Sequence, residues 1–452
     1  MSFACRDYSD GSGFRVHGSG FRVQGSFVLT LTPTDREMLG GARGPAAQLA
    51  MSIVVRMADV YGASELMDIS QAHIDSTIYL GDATLDFAER LAALGAKVAV
   101  PTSLNVSGVD VCGWKDWAVP AEWAAKAARQ MLAYETMGAV PTWTCAPYQT
   151  KMRPRFGQQI AWGESNAIAF ANSVIGARTE RYPDLLDVCC AITGRVPATG
   201  LHLSRNRAGQ ILLQLVDVPN ALQADDQFFA VFGHLVGKLA GDSIPVIDGV
   251  TVRPAEDQLK AFAAAAASSG RVALFHIVGI TPEAPTLDAA FQGNAGLKAC
   301  AVTVAVTTSD LRAARRELTT ADGRELDMVI LGSPHFSIAE FRQLAPLVSG
   351  HRAHPRVKFL VTSSRLMKEE AAKSGVLAPI EAFGAQITLD TCILASPMLP
   401  PEIQTLMTNS AKYAYYAPSL LNTRVTFGSL ADCVRSAIEG RVVRDESLWQ
   451  SA

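Results

Sequence analysis

Several loops of this chain carry reactive side chains directly after an apolar run. Cys145 in TCAPY and Cys392 in DTC are thiols in such loops, and a thiolate can act as a nucleophile or as a metal ligand. Acids, bases and amides in comparable loops could transfer protons or bind a polar substrate. The polar candidates are Asn105, Ser107, Glu164, Ser165, Asn166, Arg178, His335 and Lys412.

The common catalytic motifs are missing from this sequence. It contains no GxxxxGK[ST] phosphate cradle, no GxGxxG after a strand, no HExxH and no CxxC, which disfavours the ordinary nucleotide folds and compact zinc sites. GESNA, which begins at Gly163, lacks the last glycine of a nucleophile elbow, so a serine hydrolase is a weak hypothesis. The histidines are scattered, and hydrogen-bonded core positions are the simpler interpretation of His73, His202, His276 and His335.

The candidate residues lie between continuous apolar strands and amphipathic helices. Residues 96–105, 271–284, 326–337 and 356–365 each read as a buried strand that runs into a loop, and residues 121–138 read as a helix closed by glycine. This alternation predicts parallel α/β layers covered on both faces. Ligands bind beyond the carboxyl ends of strands in such sheets, which is where the candidate loops fall. Near the amino terminus, Thr34 with Glu37 three residues later predicts a helix N-cap.

Composition limits the class of protein. The chain has 452 residues, of which 49% are hydrophobic and 18% charged, and 40 basic against 43 acidic residues give a net charge of −3. This balance excludes a disordered chain and gives no electrostatic case for binding nucleic acid or a membrane. Eight cysteines are too few for a disulfide scaffold in a chain of this length. Since no apolar leader is visible, we expect a cytoplasmic protein with reduced thiols.

The predicted organisation is a tail followed by three α/β regions. The heptad GSGFRVH at residues 11–17 is copied as GSGFRVQ at residues 18–24, and this glycine-rich stretch predicts a flexible tail over residues 1–26. Clusters of proline, glycine and polar residues suggest boundaries near residues 245 and 350. The predicted regions are residues 27–245, 246–350 and 351–452.

Taken together and in order, the strand-end strings resemble one family, aconitase X. The strings are PTSLN, TCAPY, GESNAIAFANSVIGARTER, GLHL, FHIVGITPEA, GSPH, DTC and NSAKYAYY. The resemblance extends from about Phe27 to Cys433 and implies an aconitase-like fold of several α/β domains around a central cleft that binds an iron–sulfur cluster. The activities known in the family are dehydrations, of cis-3-hydroxy-L-proline in bacterial members and of mevalonate 5-phosphate in archaeal ones.

The resemblance also implies which thiols hold the cluster. Cys145 and Cys392 match its ligands, but Ser333 stands where archaeal members carry a third cysteine. This difference favours the bacterial branch and a 2Fe–2S cluster over 3Fe–4S or 4Fe–4S. Cys112 is the preferred third ligand, with Cys189 and Cys190 as alternatives.

The remaining candidates are assigned roles from the chemistry that the family performs. Arg178 is the first choice to bind a substrate carboxylate with a guanidinium fork. Glu164, Ser165 and Lys412 are the candidates for acid–base catalysis. The candidates for orienting the substrate by hydrogen bonds are Asn105, Ser107, Asn166 and His335.

The leading hypothesis is an iron–sulfur dehydratase that converts cis-3-hydroxy-L-proline to 1-pyrroline-2-carboxylate. The alternatives are a mevalonate 5-phosphate dehydratase and a non-catalytic large subunit or scaffold. The family's small swivelling domain carries a serine-rich loop that supplies the base, and no such string is present in the 452 residues. Either a small swivelling subunit is the partner that completes the site, or the base is a different residue of this chain. The expected substrate is a small hydroxy acid.

Overall fold

Parallel β-sheets covered by helices form the framework of the molecule. The computed structural model describes residues 29–450, so the predicted tail of residues 1–26 lies outside the described residues. Within that range the strands are β1 (Leu66–Asp68), β2 (Ala72–Ile74), β3 (Thr102–Leu104), β4 (Ala161–Trp162), β5 (Arg195–Pro197), β6 (Ile211–Leu215), β7 (Pro245–Asp248), β8 (His276–Ile277), β9 (Val302–Val306), β10 (Met328–Phe336), β11 (Lys358–Ser363), β12 (Ala385–Leu389), β13 (Thr405–Thr408) and β14 (Arg424–Phe427).

Three sheets, each wholly parallel, hold most of these strands. The first has the order β3–β2–β4, the second β8–β7–β6–β9 and the third β12–β11–β10–β13–β14. β1 and β5 form a separate antiparallel pair. All nine residues of β10 are buried, as expected for a parallel strand covered on both faces. The predicted fold class, several α/β domains with mainly parallel sheets, is confirmed.

Helices connect and cover the strands. Those of the described range are α1 (Pro33–Leu39), α2 (Pro45–Val60), α3 (Asp82–Ala93), α4 (Ala121–Thr136), α5 (Ser165–Phe170), α6 (Leu186–Thr193), α7 (Asn220–Gln223), α8 (Phe228–Ala240), α9 (Glu256–Ser269), α10 (Leu287–Ala290), α11 (Ala295–Cys300), α12 (Thr308–Glu317), α13 (Ile338–Val348), α14 (Arg365–Lys373), α15 (Leu377–Phe383), α16 (Ala411–Leu420) and α17 (Leu430–Glu439).

Helix α9 lies at the centre of the molecule and contacts α5, α8 and α16. Its alanine run is buried, and small side chains allow neighbouring helices to approach closely. On α8, a Cβ at Gly233 would lie 2.4 Å from the carbonyl oxygen of Phe262, so this crossing needs glycine. Both α5 and α16 carry candidate site residues, and the tight packing around α9 fixes their positions.

The first helix begins two residues earlier than predicted. Its N-cap is Thr32, whose hydroxyl accepts a hydrogen bond from the amide of Asp35 while the Asp35 carboxylate accepts one from the amide of Thr32. The predicted cap at Thr34 is therefore wrong. Pro33 at the first helical position explains the difference, because proline is preorganised for that position and needs no amide partner there.

No helix in residues 29–450 is both long and apolar enough to cross a membrane.

Candidate functional site

Three neighbouring strand ends form the floor of the candidate site. β2 lies between β3 and β4 in parallel register, so the residues that follow these strands meet at one edge of the sheet. Asp75 follows β2, Asn105 follows β3 and Glu164 comes two residues after β4. The Asn105 side-chain amide donates a hydrogen bond to Oδ1 of Asp75. The sheet therefore places an amide and two carboxyl groups side by side.

Asp75 is held in place by a buried carboxylate on α6. Oδ2 of Asp187 accepts hydrogen bonds from the backbone amides of Asp75 at 2.5 Å and Ser76 at 3.0 Å. Burial raises the pKa of Asp75 well above its ordinary value, and the negative charges of Glu164 and Asp187 raise it further. Asp75 is thus suited to carry a proton, and its half-buried side chain is still reached by solvent.

Glu164 joins this edge of the sheet to α16. Its Oε1 lies 2.8 Å from Nζ of Lys412, and both side chains are largely buried. Its Oε2 accepts a hydrogen bond from the amide of Ala167 at 2.8 Å, so Glu164 is also the N-cap of α5. Burial alone would lower the pKa of Lys412, but the charges of Glu164 and Cys145 raise it above its ordinary value. The pair brings two predicted catalytic residues together.

Ser165 and Asn166, which follow Glu164 on α5, differ in burial and in their hydrogen bonds. The Ser165 hydroxyl is half-buried and lies 3.4 Å from Oε1 of Glu164. Asn166 is fully buried: its amide nitrogen donates to the carbonyl of Cys145 at 3.0 Å, and its Oδ1 accepts from the hydroxyl of Tyr148 at 2.8 Å. Asn166 therefore positions the Cys145 loop from behind and leaves no free group for a substrate.

The two predicted cluster thiols lie in one small group of side chains. Cys145 and Cys392 pack with Val106 and Ala395, although they are 247 positions apart in the chain. Burial raises the pKa of the Cys145 thiol to about 12, with a further contribution from Glu164. Burial also raises the pKa of Cys392, while Lys412 acts in the opposite direction. The Lys412 cation beside the buried Cys145 and half-buried Cys392 thiols favours their thiolate forms, which are the forms that bind metal.

His335 connects the two thiol loops. Its backbone amide donates to Sγ of Cys145 at 3.3 Å. On the ring, Nδ1 lies 3.1 Å from the hydroxyl of Thr144 and Nε2 lies 3.2 Å from the carbonyl of Thr391. Burial lowers the pKa of His335 to about 4, so the ring is neutral and donates from Nε2. Because the ring is fully buried, His335 positions the loops and does not face a substrate.

Other predicted site residues lie apart from this group. The Ser107 hydroxyl is buried and bonds to the backbone of Val109. Arg178 lies 3.7 Å from Glu283 and lines a cavity of about 190 Å³ together with His276 and Arg207. None of the hydrogen bonds or ion pairs described in residues 29–450 joins Arg178 to the thiols or to Glu164.

The predicted set of three thiol ligands is not assembled. Cys112 is exposed, and its backbone amide bonds to Oδ1 of Asp110. Cys189 and Cys190 are buried in α6. In the part of the chain that the structure describes, no three His, Cys, Asp or Glu side chains are grouped closely enough to hold a metal ion. Cys145 and Cys392 remain the thiols that the fold brings together.

Asp75 and Asp187 are the site residues that the sequence analysis missed. Asp75 follows the buried strand Ala72–Ile74, so the rule that selected Asn105 and Glu164 would have found it too. That strand is only three residues long, which is why the pattern is inconspicuous. Asp187 gives no sequence signal, because its partners lie 111 and 112 positions away.

Family sequence profiles cover most of the chain. Residues 28–205 match the aconitase X first domain, residues 209–316 the second domain and residues 326–439 the third domain. The chain belongs to the aconitase X family. Membership implies an iron–sulfur cluster, and the sequence-based assignment to this family is confirmed.

Individual relatives agree with this assignment. A cis-3-hydroxy-L-proline dehydratase of Pseudomonas aeruginosa is 48% identical over 92% of this chain and 71% of its own length. A phosphomevalonate dehydratase large subunit of Methanothermobacter thermautotrophicus is 34% identical over 90% of this chain and 98% of its own length. The crystal structure of Thermococcus kodakaraensis aconitase X in its holo-form superposes with a TM-score of 0.80 and 31% identity, over 90% of this chain and all of that one.

Proposed function

We propose that this aconitase X protein is an iron–sulfur hydro-lyase that removes water from cis-3-hydroxy-L-proline. The proton on C2 and the hydroxyl on C3 leave as water, and the enamine that results tautomerises to 1-pyrroline-2-carboxylate. The observation that carries the proposal is the meeting of the buried Cys145 and half-buried Cys392 thiols with the Glu164–Lys412 pair. Similarity to cis-3-hydroxy-L-proline dehydratases, at 48% and 44% identity, supports this substrate over mevalonate 5-phosphate.

The thiol pair suits a cluster held by few protein ligands. Cys145 already accepts a backbone N–H hydrogen bond from His335, and such bonds tune iron–sulfur centres. Ser333 stands where the archaeal members carry a third cysteine, and this difference supports a 2Fe–2S cluster over 3Fe–4S or 4Fe–4S. When bound, the cluster would supply a Lewis acid for the leaving hydroxyl. A reducing compartment such as the cytoplasm would keep both thiols free.

Asp75 and Glu164, at the edge of the sheet, have different roles in proton transfer. Asp75, whose pKa is raised by burial, holds a proton that it can give to the departing hydroxyl, and Asn105 orients its carboxyl group. Glu164 is fixed by Lys412 and by the amide of Ala167. This fixation keeps the Glu164 carboxylate in one orientation at the sheet edge, as an acid–base group, and limits its reorientation cost.

A further polypeptide segment or small subunit would complete the site. The chain spans 71% and 69% of the length of two cis-3-hydroxy-L-proline dehydratases, but 98% of an archaeal large subunit. The family resemblance implies that the unmatched part of these dehydratases carries the serine-rich loop of the small domain. We propose that it faces the edge formed by Asp75, Asn105 and Glu164 and takes the C2 proton.

Iron content tests the ligand assignment independently of turnover. We expect Cys145→Ser and Cys392→Ser, purified anaerobically, each to lose at least about nine-tenths of the bound iron and the absorbance near 400 nm, because thiolates anchor the cluster. Cys300→Ser is the matched control, since Cys300 is exposed at the end of α11, and it should keep both. Equal iron in all three variants would contradict the assignment.

Substrate consumption tests the reaction itself. The assay supplies cis-3-hydroxy-L-proline and, separately, mevalonate 5-phosphate to the iron-loaded protein together with the small-domain polypeptide. We expect water loss from the first substrate only, and Glu164→Gln should lower kcat by about 10²–10⁴-fold, the usual contribution of an acid–base group. Dehydration of mevalonate 5-phosphate alone would assign the alternative substrate, and no turnover of either would leave the scaffold hypothesis.

A further inference from the structure

A second polar cavity lies along the same sheet, one strand further out. Residues 176–179 run parallel to the segment that leads into β4: the amide of Ile160 donates to the carbonyl of Arg178 at 3.0 Å, and the amide of Arg178 donates to the carbonyl of Gln158 at 2.9 Å. This segment therefore acts as a fourth strand next to β4. Arg181 follows its carboxyl end, just as Glu164 follows β4. The two residues share one edge of the sheet, and the charge of Glu164 acts on Arg181.

The cavity at Arg181 is large and rich in guanidinium groups. Its volume is about 580 Å³, and Arg181, Arg205 and Arg271 line it together with Glu180 and Asp242. The Glu180 carboxylate is already used by the backbone, since it accepts hydrogen bonds from the amides of Arg181 at 2.7 Å and Leu201 at 2.8 Å. These two backbone amides occupy the Glu180 carboxylate, and no ion pair described in residues 29–450 joins it to the arginines.

Arg181 has no protein partner for its charge. Its Nη1 is buried without a hydrogen bond, and its guanidinium forms no ion pair with any residue in the range 29–450. Burial and the neighbouring charge of Arg271 lower the pKa of Arg181. A half-buried, unpaired cation next to a second cation is costly unless a ligand compensates it.

Nη1 of Arg178, the arginine predicted from the sequence, is likewise buried without a hydrogen bond, but the Arg178 guanidinium has a carboxylate close by. Arg178 lies 3.7 Å from Glu283, and Glu283 also accepts hydrogen bonds from the fully buried Arg207. A carboxylate of the protein thus already occupies the anion position beside Arg178. An added substrate carboxylate would have to compete with Glu283 there, whereas Arg181 offers its charge without competition.

We infer that Arg181 and Arg271 form the anion-binding part of the substrate pocket and take the carboxylate of a small hydroxy acid. Under the function proposed above, this anion is the carboxylate of the hydroxyproline ring. Arg181 is then the residue that discriminates a free carboxylate from an amide, because only a carboxylate pairs with its fork in a charge-assisted contact. Arg271, which is exposed at the end of α9, supplies the second positive charge.

Calorimetric binding of unreactive analogues to the iron-loaded protein tests this site. L-Proline carries the carboxylate but no leaving hydroxyl, and L-prolinamide lacks the negative charge. We expect the wild-type protein to bind L-proline at least about tenfold more tightly than L-prolinamide. Arg181→Gln and Arg271→Gln should abolish this preference, and Arg181→Lys should keep part of it because the charge remains. Arg342→Gln, at an exposed position on α13, is the matched control and should behave as the wild type.

The same variants separate failure of this inference from failure of the proposed function. If cis-3-hydroxy-L-proline is dehydrated and KM is unchanged in Arg181→Gln but rises in Arg178→Gln, the anion site belongs to Arg178 and the inference is overturned. If no dehydration occurs, inorganic phosphate is titrated instead. Phosphate binding that is lost in Arg181→Gln then supports the anion site while the proposed substrate fails, and phosphate binding that is equal in wild type and variant overturns it.

Discussion

Both ring nitrogens of His202 are occupied inside the protein. Nδ1 lies 2.7 Å from Oε1 of Gln159, and Nε2 is hydrogen-bonded to the hydroxyl of Tyr182. Burial lowers the pKa of His202 to about 3, and the charges of Arg207 and Arg178 contribute. The ring is therefore neutral in the folded protein and has a structural role next to the Arg178 cavity.

This histidine makes stability depend on pH in a defined direction. Below about pH 6.5 the unfolded chain binds a proton at His202 that the folded chain, with its pKa of about 3, does not bind. The free energy of unfolding therefore falls as the pH decreases from 7 towards 3, by about 2 kcal/mol at pH 5 from this residue alone. We expect His202→Gln to remove that part of the pH dependence.

Urea unfolding at pH 7 and pH 5 measures the effect. The control is His351→Gln, which changes an exposed histidine in the turn after α13 and should retain the wild-type difference between the two pH values. Wild-type behaviour in His202→Gln would contradict the assignment of His202 as a buried neutral ring.

Single residues also show where sequence reasoning succeeds and where it stops. The residue types after buried strands predicted Cys145, Cys392, Glu164 and Lys412 as candidates, and the fold brings these four together. Residue type alone could not separate side chains that face the site from those that support it. The sequence predicts Asn166 and His335 as residues that orient a substrate, but in the fold both form hydrogen bonds with the loops that carry the two thiols.

At the scale of elements, the join between β4 and α5 leaves no spare volume. A Cβ on Gly163 would lie 2.8 Å from Oδ2 of Asp187 and 2.8 Å from Cβ of Asp75. Both neighbours are anchored, since Asp187 accepts the backbone hydrogen bonds that fix Asp75. Glycine at this position therefore lets strand β4 end close enough to β2 for Glu164 and Asp75 to share one site.

Gly163→Ala is expected to disrupt the site more than the fold. The added methyl group must push Asp75 away from Asp187, which costs about 1–3 kcal/mol of stability, as overpacking usually does. We expect kcat to fall at least about tenfold, because Asp75 and Glu164 lose their relative position. Melting temperature and steady-state kinetics of the iron-loaded protein measure the two effects.

Gly296→Ala on α11 is the matched control for this change. Its new Cβ would meet only Oδ1 of Asn294, at 3.2 Å, in an exposed helix. We expect its kinetics to match those of the wild type. Full activity in Gly163→Ala would show that the close approach does not position the site.

Element boundaries were predictable only where the local signal is strong. The helix predicted at residues 121–138 is α4, which spans Ala121–Thr136, because its apolar spacing and closing glycine are local features. Residues 271–284, predicted as a buried strand that runs into a loop, contain only the two-residue strand His276–Ile277. The remaining apolar residues are buried by packing in loops, and hydrophobicity does not distinguish a buried loop from a buried strand.

At the scale of the whole molecule, one buried lysine joins the part of the chain that matches the aconitase X second domain to the part that matches the third domain. Nζ of Lys260 on α9 lies 2.9 Å from Oδ1 of Asp257, pairs with Glu340 on α13 and donates to the carbonyl of His335 at 3.3 Å. Only 2% of its surface is exposed. His335 in turn contacts Cys145, so this ion cluster supports the backbone that holds the thiol loop.

This cluster was not predictable from the sequence, because His335 and Glu340 lie 75 and 80 positions from Lys260 along the chain. Lys260 lies in an alanine-rich helix whose pattern predicts only core packing, and Glu340 reads as an ordinary capping residue of α13. Their pairing depends on how α9 packs against β10 and α13. Local sequence patterns indicate which segments form helices and strands and hence the fold class. The contacts between packed helices and sheets cannot be deduced from those patterns.

Lys260→Met should therefore weaken the whole molecule and not only one helix. Removing the lysine leaves Asp257 and Glu340 without their buried cation, and breaking one side of a buried ion pair costs about 3–5 kcal/mol. Burial already raises the pKa of Glu340 to about 7. Protonation of the Glu340 carboxyl below pH 7 should consequently lessen the loss of stability, so the destabilisation should be larger at pH 8 than at pH 6.

Lys126→Met is the matched control, because Lys126 forms surface pairs with Asp82 and Glu122 that are worth no more than about 1 kcal/mol. Chemical unfolding of both variants at the two pH values measures these differences, and an equal loss in both would refute the bridging role of Lys260.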